Sequence, residues 1–295
     1  MINSDVAITL LWQRQSVWSQ AANRLKVRIT WARSATLLLI VLGAVFGTGA
    51  AQAQGTLSRV LAAGAAVALA LASLAGRGGS PTVVRDWTRA RSVSEAIKAD
   101  VYTYLAGARP FDGPDRDEKA LHELDDLMRS VDDIVRHTTG LTPVDRSLPP
   151  VHDVDSYAKE RVVKQLDGYY LPKAREMARK VQFTHVLEVT LSGAAAVLAA
   201  VVAVLPSTAV SAWIGVFTTV AAAVTAHAAA SRYEYQQIEF TRTADELERL
   251  TTLRAVGGHL DDEEFVVTCE RIISIQNEGW MARLGTNDTE DSSSA

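Results

Sequence analysis

The chain has 295 residues, of which 48% are hydrophobic and 22% are charged, with a formal net charge of -4 and a single cysteine. This balance excludes the basic surface expected for nucleic-acid binding, and one cysteine excludes an intrachain disulfide or a cysteine-cluster metal centre. Nearly all charged residues lie outside four long apolar segments. The sequence therefore predicts an all-α membrane protein with four transmembrane helices and long helical extensions outside the bilayer.

The first element, residues 5–33, carries apolar residues at helical spacing with arginines and lysines interleaved. This pattern predicts a basic amphipathic helix that leads into the membrane. Packing against neighbouring helices and lying on anionic lipid both explain such a helix, and the sequence leaves the two open.

Two apolar segments follow, residues 34–51 and 57–75, joined by a short polar stretch at 52–56. Each is about the length that crosses a bilayer as a helix. Small residues spaced four apart allow close helix packing, either within one subunit or between subunits. These packing candidates are Gly43, Gly47, Gly64 and Ala68.

Ala51 and Ala53 form an A-x-A pattern of the kind that signal peptidases cleave. The leader that such a cleavage would remove is far longer than an ordinary signal peptide, and it contains a structured basic helix. We therefore expect the segment to be retained as a membrane span.

In the middle of the chain, the sequence predicts a polar turn at 76–81, a polar helix at 86–105, and one acidic helix over 115–138. The acidic helix repeats apolar residues at spacings of three and four, which predicts a short seam that packs on another helix. The seam residues are Leu121, Leu124, Met128, Val131 and Val135. A proline-rich loop, residues 140–154, follows.

Helical spacing resumes over 157–183, where Pro172 predicts a kink or a new helix start. Spans at 187–205 and 209–230 form the second hairpin, broken by Pro206 to Thr208. We expect the fourth span to continue as a straight helix to Val256. A last helix is predicted to begin with a capping box at Asp261 and Glu264 and to run to Leu284, with a disordered tail at 285–295.

Arginines and lysines cluster before the first and third spans and after the second, and Arg232 follows the fourth. The connections at 52–56 and 206–208 contain none. By the positive-inside rule, both termini and the central region face the cytoplasm of a cell whose plasma (inner) membrane holds the protein.

The two halves of the chain correspond when one is shifted by 152 residues, which places Trp18 on Tyr170 and Trp31 on Phe183. Each copy has a leading helix, two spans and an exit helix, so the copies run parallel across the bilayer. We divide the chain into a first repeat (1–106), an acidic helix and loop (107–156), a second repeat (157–256), a C-terminal helix (257–284) and the tail.

This unit resembles the SLATT family of bacterial two-span membrane effector domains, here as a fused tandem pair. The resemblance rests on the aromatic and basic leading helix, the short-looped hairpin, and an exit helix that opens Trp87-Thr-Arg89 or Phe240-Thr-Arg242. It implies an oligomeric pore or another membrane-perturbing effector, and it implies no site residues.

The sequence has no catalytic motif and no metal or nucleotide pattern, so we expect neither an enzyme nor a bound cofactor. Glu188 and His227 are ionisable residues inside predicted spans, and we hypothesise that they pair at the inner mouth of a pore, with His185 one turn below. Snorkelling of Glu188 to the headgroups is the alternative. Ser192, Thr218 and Thr225 are pore-lining candidates, or ordinary packing residues with hydroxyls bonded to backbone carbonyls.

Two functions are consistent with these features. The first is a homo-oligomeric, ion-conducting pore in the lipid bilayer, gated or assembled through cytoplasmic helices. The second is a non-conducting membrane scaffold or sensor that recruits a cytoplasmic signalling partner. Electrical current across a bilayer distinguishes the two.

Overall fold

The computed structural model describes residues 4–205, 207–257 and 261–285, and throughout this part of the chain the secondary structure is helical, without strands. The α-helices are α1 (Ser4–Gln52), α2 (Gly55–Gly76), α3 (Pro81–Ala106), α4 (Arg116–Ser130), α5 (Val154–Tyr157), α6 (Leu171–Val204), α7 (Thr208–Ser231), α8 (Tyr233–Ala255) and α9 (Asp262–Gly285). Segments of 3₁₀-helix lie at Arg77–Gly79 and Asp132–Thr138, and π-helical segments at Ala158–Val163 and Leu166–Tyr170.

The chain folds into two compact units. The membrane unit comprises Val27–Ser80 and Arg175–Gln237, which include both predicted hairpins. The extramembrane unit comprises the described residues of Met1–Lys26, Pro81–Ala174 and Ile238–Ala295. Among the described residues, four helices are long and apolar enough to cross a membrane, and they cover the four predicted spans to within one residue at each end. The protein is thus an all-α membrane protein.

The extramembrane unit is built around an apolar core. The N-terminal part of α1 buries the face that carries Trp12, Val17, Trp18 and Leu25. Trp12, Trp18 and Leu25 belong to one core cluster with residues of α3 and α4. Trp12 also donates its indole N–H to the carbonyl of Ser147 at 3.0 Å. Packing on protein therefore accounts for the apolar face of the leading helix.

The acidic segment differs from the single helix that its spacing predicts. Helix α4 ends at Ser130, and a 3₁₀-helix continues from Asp132. Because a 3₁₀-helix has about three residues per turn, the apolar register changes there. Ile134 is buried in place of Val135, which is 50% exposed.

The fourth span does not continue as a straight helix. Arg232 adopts a left-handed backbone conformation with φ of 51°, which ends α7 and separates it from α8. The first copy is interrupted at the corresponding place by the turn at Arg77–Gly79. The helix breaks thus lie at matching positions of the two copies. The aromatic residues at the start of each hairpin are also both exposed, Trp31 to 73% and Phe183 to 68%. Both features agree with the repeat.

Two predicted boundaries differ from the structure. Helix α3 begins at Pro81, five residues before the predicted start, and the helix that leads into the third span is continuous from Val154 to Val204, with π-helical turns before Pro172 instead of a new start. The backbone N–H of Glu264 donates to Asp261 Oδ1 at 2.6 Å, which is one half of the predicted capping box. The predicted break at Pro206 and the predicted tail after residue 285 lie outside the described residues.

Candidate functional site

The first hairpin is closely packed through its small residues. A Cβ atom added at Gly43 would lie 2.8 Å from Leu69 Cδ2, and one added at Gly64 would lie 3.3 Å from the ring of Phe46. At Gly47 the same atom would meet Ala65 at 3.9 Å. Ala68 is buried on α2. The four packing candidates thus lie where α1 and α2 meet within one chain.

The second hairpin is more open. Cβ atoms added at Gly193 on α6 and at Gly215 on α7 would meet nothing within 4 Å. Ser192, Thr218 and Thr225 are all exposed in the single chain. The hydroxyls of Thr218 and Thr225 donate to the carbonyls of Ile214 and Ala221, at 3.0 and 3.1 Å. Small and hydroxyl-bearing faces are therefore available on α6 and α7 for contacts outside this chain.

The ionisable residues of these spans do not form the predicted pair. Among the described residues, no hydrogen bond or ion pair joins Glu188 to His227. His227 Nε2 instead lies 3.2 Å from the hydroxyl of Tyr233, the second residue after α7 ends. Glu188 is half-buried on α6, and His185 is exposed. The left-handed turn at Arg232 brings Tyr233 to the histidine, and sequence spacing gave no sign of that turn.

A buried ion pair in the extramembrane unit was not predicted from the sequence. Arg161 is 1% exposed, and it donates through Nε and Nη2 to the two carboxylate oxygens of Glu270, each at 2.8 Å. The hydroxyl of Tyr157 donates to Glu270 Oε1 at 2.9 Å, and Gln165 accepts from Arg161 at 2.7 Å. A bidentate arginine–carboxylate pair with these additional partners fixes α9 against the π-helical segment.

Other titratable groups surround this pair on α3. Burial, reinforced by the charges of Glu123 and Glu270, raises the pKa of Asp100 to about 7. Burial and then the charge of Arg161 lower the pKa of Lys98 to about 8. Burial opposes ionisation of Glu95, but the nearby cations, Arg91 first, outweigh it and lower the pKa of its carboxyl. The proton occupancy of α3 therefore changes near neutral pH.

A pocket of about 280 Å³ lies between α3, α4 and α9. Its wall is largely apolar, with Val93, Ala96 and Leu127, and residues Glu95 and Glu270 also line it. This is close to the lower size limit of small-molecule sites.

The single cysteine of the chain, Cys269, lies on α9. Cys269 is fully buried, and burial raises the pKa of its thiol to about 12, so the nucleophilic thiolate is not formed near neutral pH. Within the described residues, no three histidine, cysteine or acidic side chains are placed to hold a metal ion.

Fold and site together define a helical membrane protein with two hairpins and an extramembrane helical unit. Residues 157–280 match the family described as SMODS and SLOG-associating 2TM effector domain 1, SLATT_1. Residues 16–119 match DUF4231, a protein family of unknown function. No curated protein and no solved structure is significantly similar to the chain. The predicted resemblance to the SLATT family of two-span membrane effector domains is therefore confirmed for residues 157–280, and the first half of the chain is similar to a different family.

Proposed function

We propose that the protein is an oligomeric membrane effector in which the second hairpin lines an ion-conducting pore. In this proposal the extramembrane unit faces the cytoplasm and gates or assembles the pore. The observation that carries the proposal is the carboxylate of Glu188, which lies in an apolar span and has no charged partner among the described residues of its own chain.

An ionised carboxylate inside a bilayer is costly unless it meets another charge, a polar group or water. Glu188 is the second residue of the predicted third span on α6, and the predicted partner, His227, is bonded elsewhere. In a ring of identical chains, each Glu188 would face a water-filled centre. Such a ring attracts cations, as acidic rings do in cation channels.

The packing contrast between the hairpins supports the same assignment. The first hairpin uses its small residues within the chain, whereas Gly193, Gly215 and the exposed hydroxyl residues of the second hairpin remain available. Small faces permit close approach of helices from other subunits, because little apolar driving force exists within lipid. The first hairpin is thus the supporting element, and the second lines the pore.

The positive-inside distribution of arginines and lysines supports a cytoplasmic extramembrane unit. The same unit holds the pocket and the groups on α3 that titrate near neutral pH. A ligand or a proton bound there would act on α3, which follows the first hairpin directly in the chain.

The test combines mass photometry in detergent with current recording after reconstitution into planar bilayers. We expect a discrete oligomer with unitary currents and a cation preference, and Glu188→Gln should reduce that preference. Glu234→Gln, which removes an exposed charge outside the apolar segment, is the matched control and should leave the currents unchanged. A stable oligomer that stays silent over voltage and pH would contradict the pore and favour a scaffold that recruits a cytoplasmic partner.

A further inference from the structure

The pocket between α3, α4 and α9 lies within the extramembrane unit, and most of its wall is apolar. Its volume is about 280 Å³. Apolar side chains from all three helices or their ends form the wall: Val93, Ala96, Ala99, Leu127, Val131 and Ile273. A cavity of this size and lining suits a small organic molecule whose surface is mainly apolar.

The charged residues of the lining already have partners of opposite charge. Their ion pairs are Glu95 with Arg91, Glu270 with Arg161, and Arg89 with Asp133. Because each of these charges is balanced within the chain, the lining is neutral as a whole. A charged ligand would lose its hydration in the pocket without meeting a free counter-charge, which is unfavourable. The pocket therefore favours a neutral molecule.

Polar groups of the lining offer mainly hydrogen-bond acceptors. The hydroxyls of Ser130 and Ser274 donate their protons to the carbonyls of Leu127 and Arg271, at 2.7 and 2.9 Å. Both hydroxyl oxygens therefore keep lone pairs, and their protons are already used. The guanidinium of Arg89 donates to both carboxylate oxygens of its ion-pair partner, at 2.5 and 2.8 Å, and to the carbonyl of Ser130 at 2.8 Å. A ligand would thus have to supply the donor itself.

Glu95 keeps more capacity to accept hydrogen bonds than Glu270 does. A carboxylate offers about four acceptor sites. Glu270 already accepts three hydrogen bonds, from Arg161 and Tyr157, whereas Glu95 is paired through Oε1 with Arg91 at 2.7 Å. Burial opposes ionisation of Glu95, but the nearby cations, Arg91 first, lower the pKa of its carboxyl. Near neutral pH this buried side chain is therefore an acceptor for a donor in the pocket.

We propose that this pocket binds a small neutral molecule with a mainly apolar body and one N–H or O–H group, which donates to Glu95. The bound molecule fills the space between α3 and α9 and stabilises their packing. Helix α3 follows the first hairpin in the chain, and Glu270 on α9 holds Arg161 of the segment that precedes α6. An effect of the ligand on gating rests on the proposed function, but binding itself does not require conduction.

The test measures binding of indole and 1-methylindole to the full chain in nanodiscs by equilibrium dialysis, with empty nanodiscs giving the background from lipid. The two probes have nearly the same shape, and only indole has an N–H donor. We expect indole to bind at least about tenfold more tightly, since hydrogen bonds to charged acceptors are the strong ones. The charged analogues tryptamine and indole-3-acetate should both bind more weakly than indole. Glu95→Gln should remove most of the preference for indole, whereas Glu118→Gln, at an exposed position on α4, should keep it.

Pocket-filling variants separate this site from binding elsewhere. Ala96→Leu and Ala99→Leu enlarge side chains of the wall and should each weaken indole binding, whereas Ala255→Leu, at an exposed position at the end of α8, should leave it unchanged. A melting temperature like that of the wild type shows that a variant is folded.

Equal binding of indole and 1-methylindole, tighter binding of a charged analogue, unchanged indole binding in a folded pocket-filling variant, or an indole preference that survives Glu95→Gln would overturn the proposal. Because no current is recorded, failure of the proposed pore does not affect this result.

Discussion

The extramembrane and membrane units differ in whether the charged groups considered below have ion-pair partners within the chain. In the extramembrane unit, Arg161 is paired with Glu270, and buried Asp86 accepts from Arg136 at 2.9 Å. In the membrane unit, Glu188, Arg33 and Arg232 have no ion-pair partner among the described residues. The buried charges of Arg161, Glu270 and Asp86 are thus paired within the chain. Under the proposed function, the unpaired carboxylate of Glu188 in the second unit meets water at the centre of an oligomer.

The largest expected effect comes from a substitution that removes the buried ion pair between Arg161 and Glu270 in the extramembrane unit. Arg161→Met leaves Glu270 buried without its cation, which should lower the free energy of unfolding by about 3–5 kcal/mol. Chemical unfolding in detergent measures this loss. The double variant Arg161→Met/Glu270→Leu should recover most of the stability, because both buried charges are then gone. A loss below about 1 kcal/mol in the single variant would contradict the buried pair.

A pH dependence follows from Asp100 in the same unit. Its pKa is about 7 in the folded protein and 3.8 ordinarily, so the folded state keeps a proton that the unfolded chain releases. Stability from this group therefore falls as pH rises from about 4 to about 7, by roughly 2–4 kcal/mol. Asp100→Asn should remove this component of the unfolding curve, whereas Asp125→Asn, at an exposed position on α4, should not. Parallel wild-type and Asp100→Asn curves would contradict the assignment.

A matched pair of glycine substitutions sharpens the contrast between the hairpins. Gly64→Leu places a side chain against Phe46 and should cost about 1–3 kcal/mol through overpacking. Gly193→Leu meets open space within the chain and should leave its stability unchanged, while it shifts the oligomer mass or abolishes conduction. Thermal unfolding and mass photometry separate the two effects. If both variants lower the free energy of unfolding by the same amount, the two hairpins do not differ in how closely they are packed.

The smallest expected effect concerns an exposed ion pair. Arg242 and Glu246 are four residues apart on α8, with Nε and Oε1 3.1 Å apart. Solvent screens such pairs, so Glu246→Gln should change stability by about 0.2–0.5 kcal/mol. Chemical unfolding in detergent measures this change in the free energy of unfolding. A loss as large as that of Arg161→Met would contradict the expectation that the exposed pair contributes less than the buried one.

Much of the fold follows from the sequence because local patterns determine it. Apolar segments near 20 residues predict the four spans, and the leading helix is identified by the apolar face of Trp12 and Trp18. The ion pair between Arg161 and Glu270 escaped prediction because its partners are 109 residues apart and meet only in the folded protein. No residue type marked the left-handed turn at Arg232, since arginine rarely adopts that conformation.

The central claim is that Glu188 of the second hairpin lines a pore, and the reversal potential across a planar bilayer with a salt gradient tests it most directly. Wild-type protein should give unitary currents with a cation-selective reversal potential, and Glu188→Gln should move that potential toward zero while Glu234→Gln leaves it in place. Unchanged selectivity in Glu188→Gln, or no current from the reconstituted wild-type oligomer, would contradict the account.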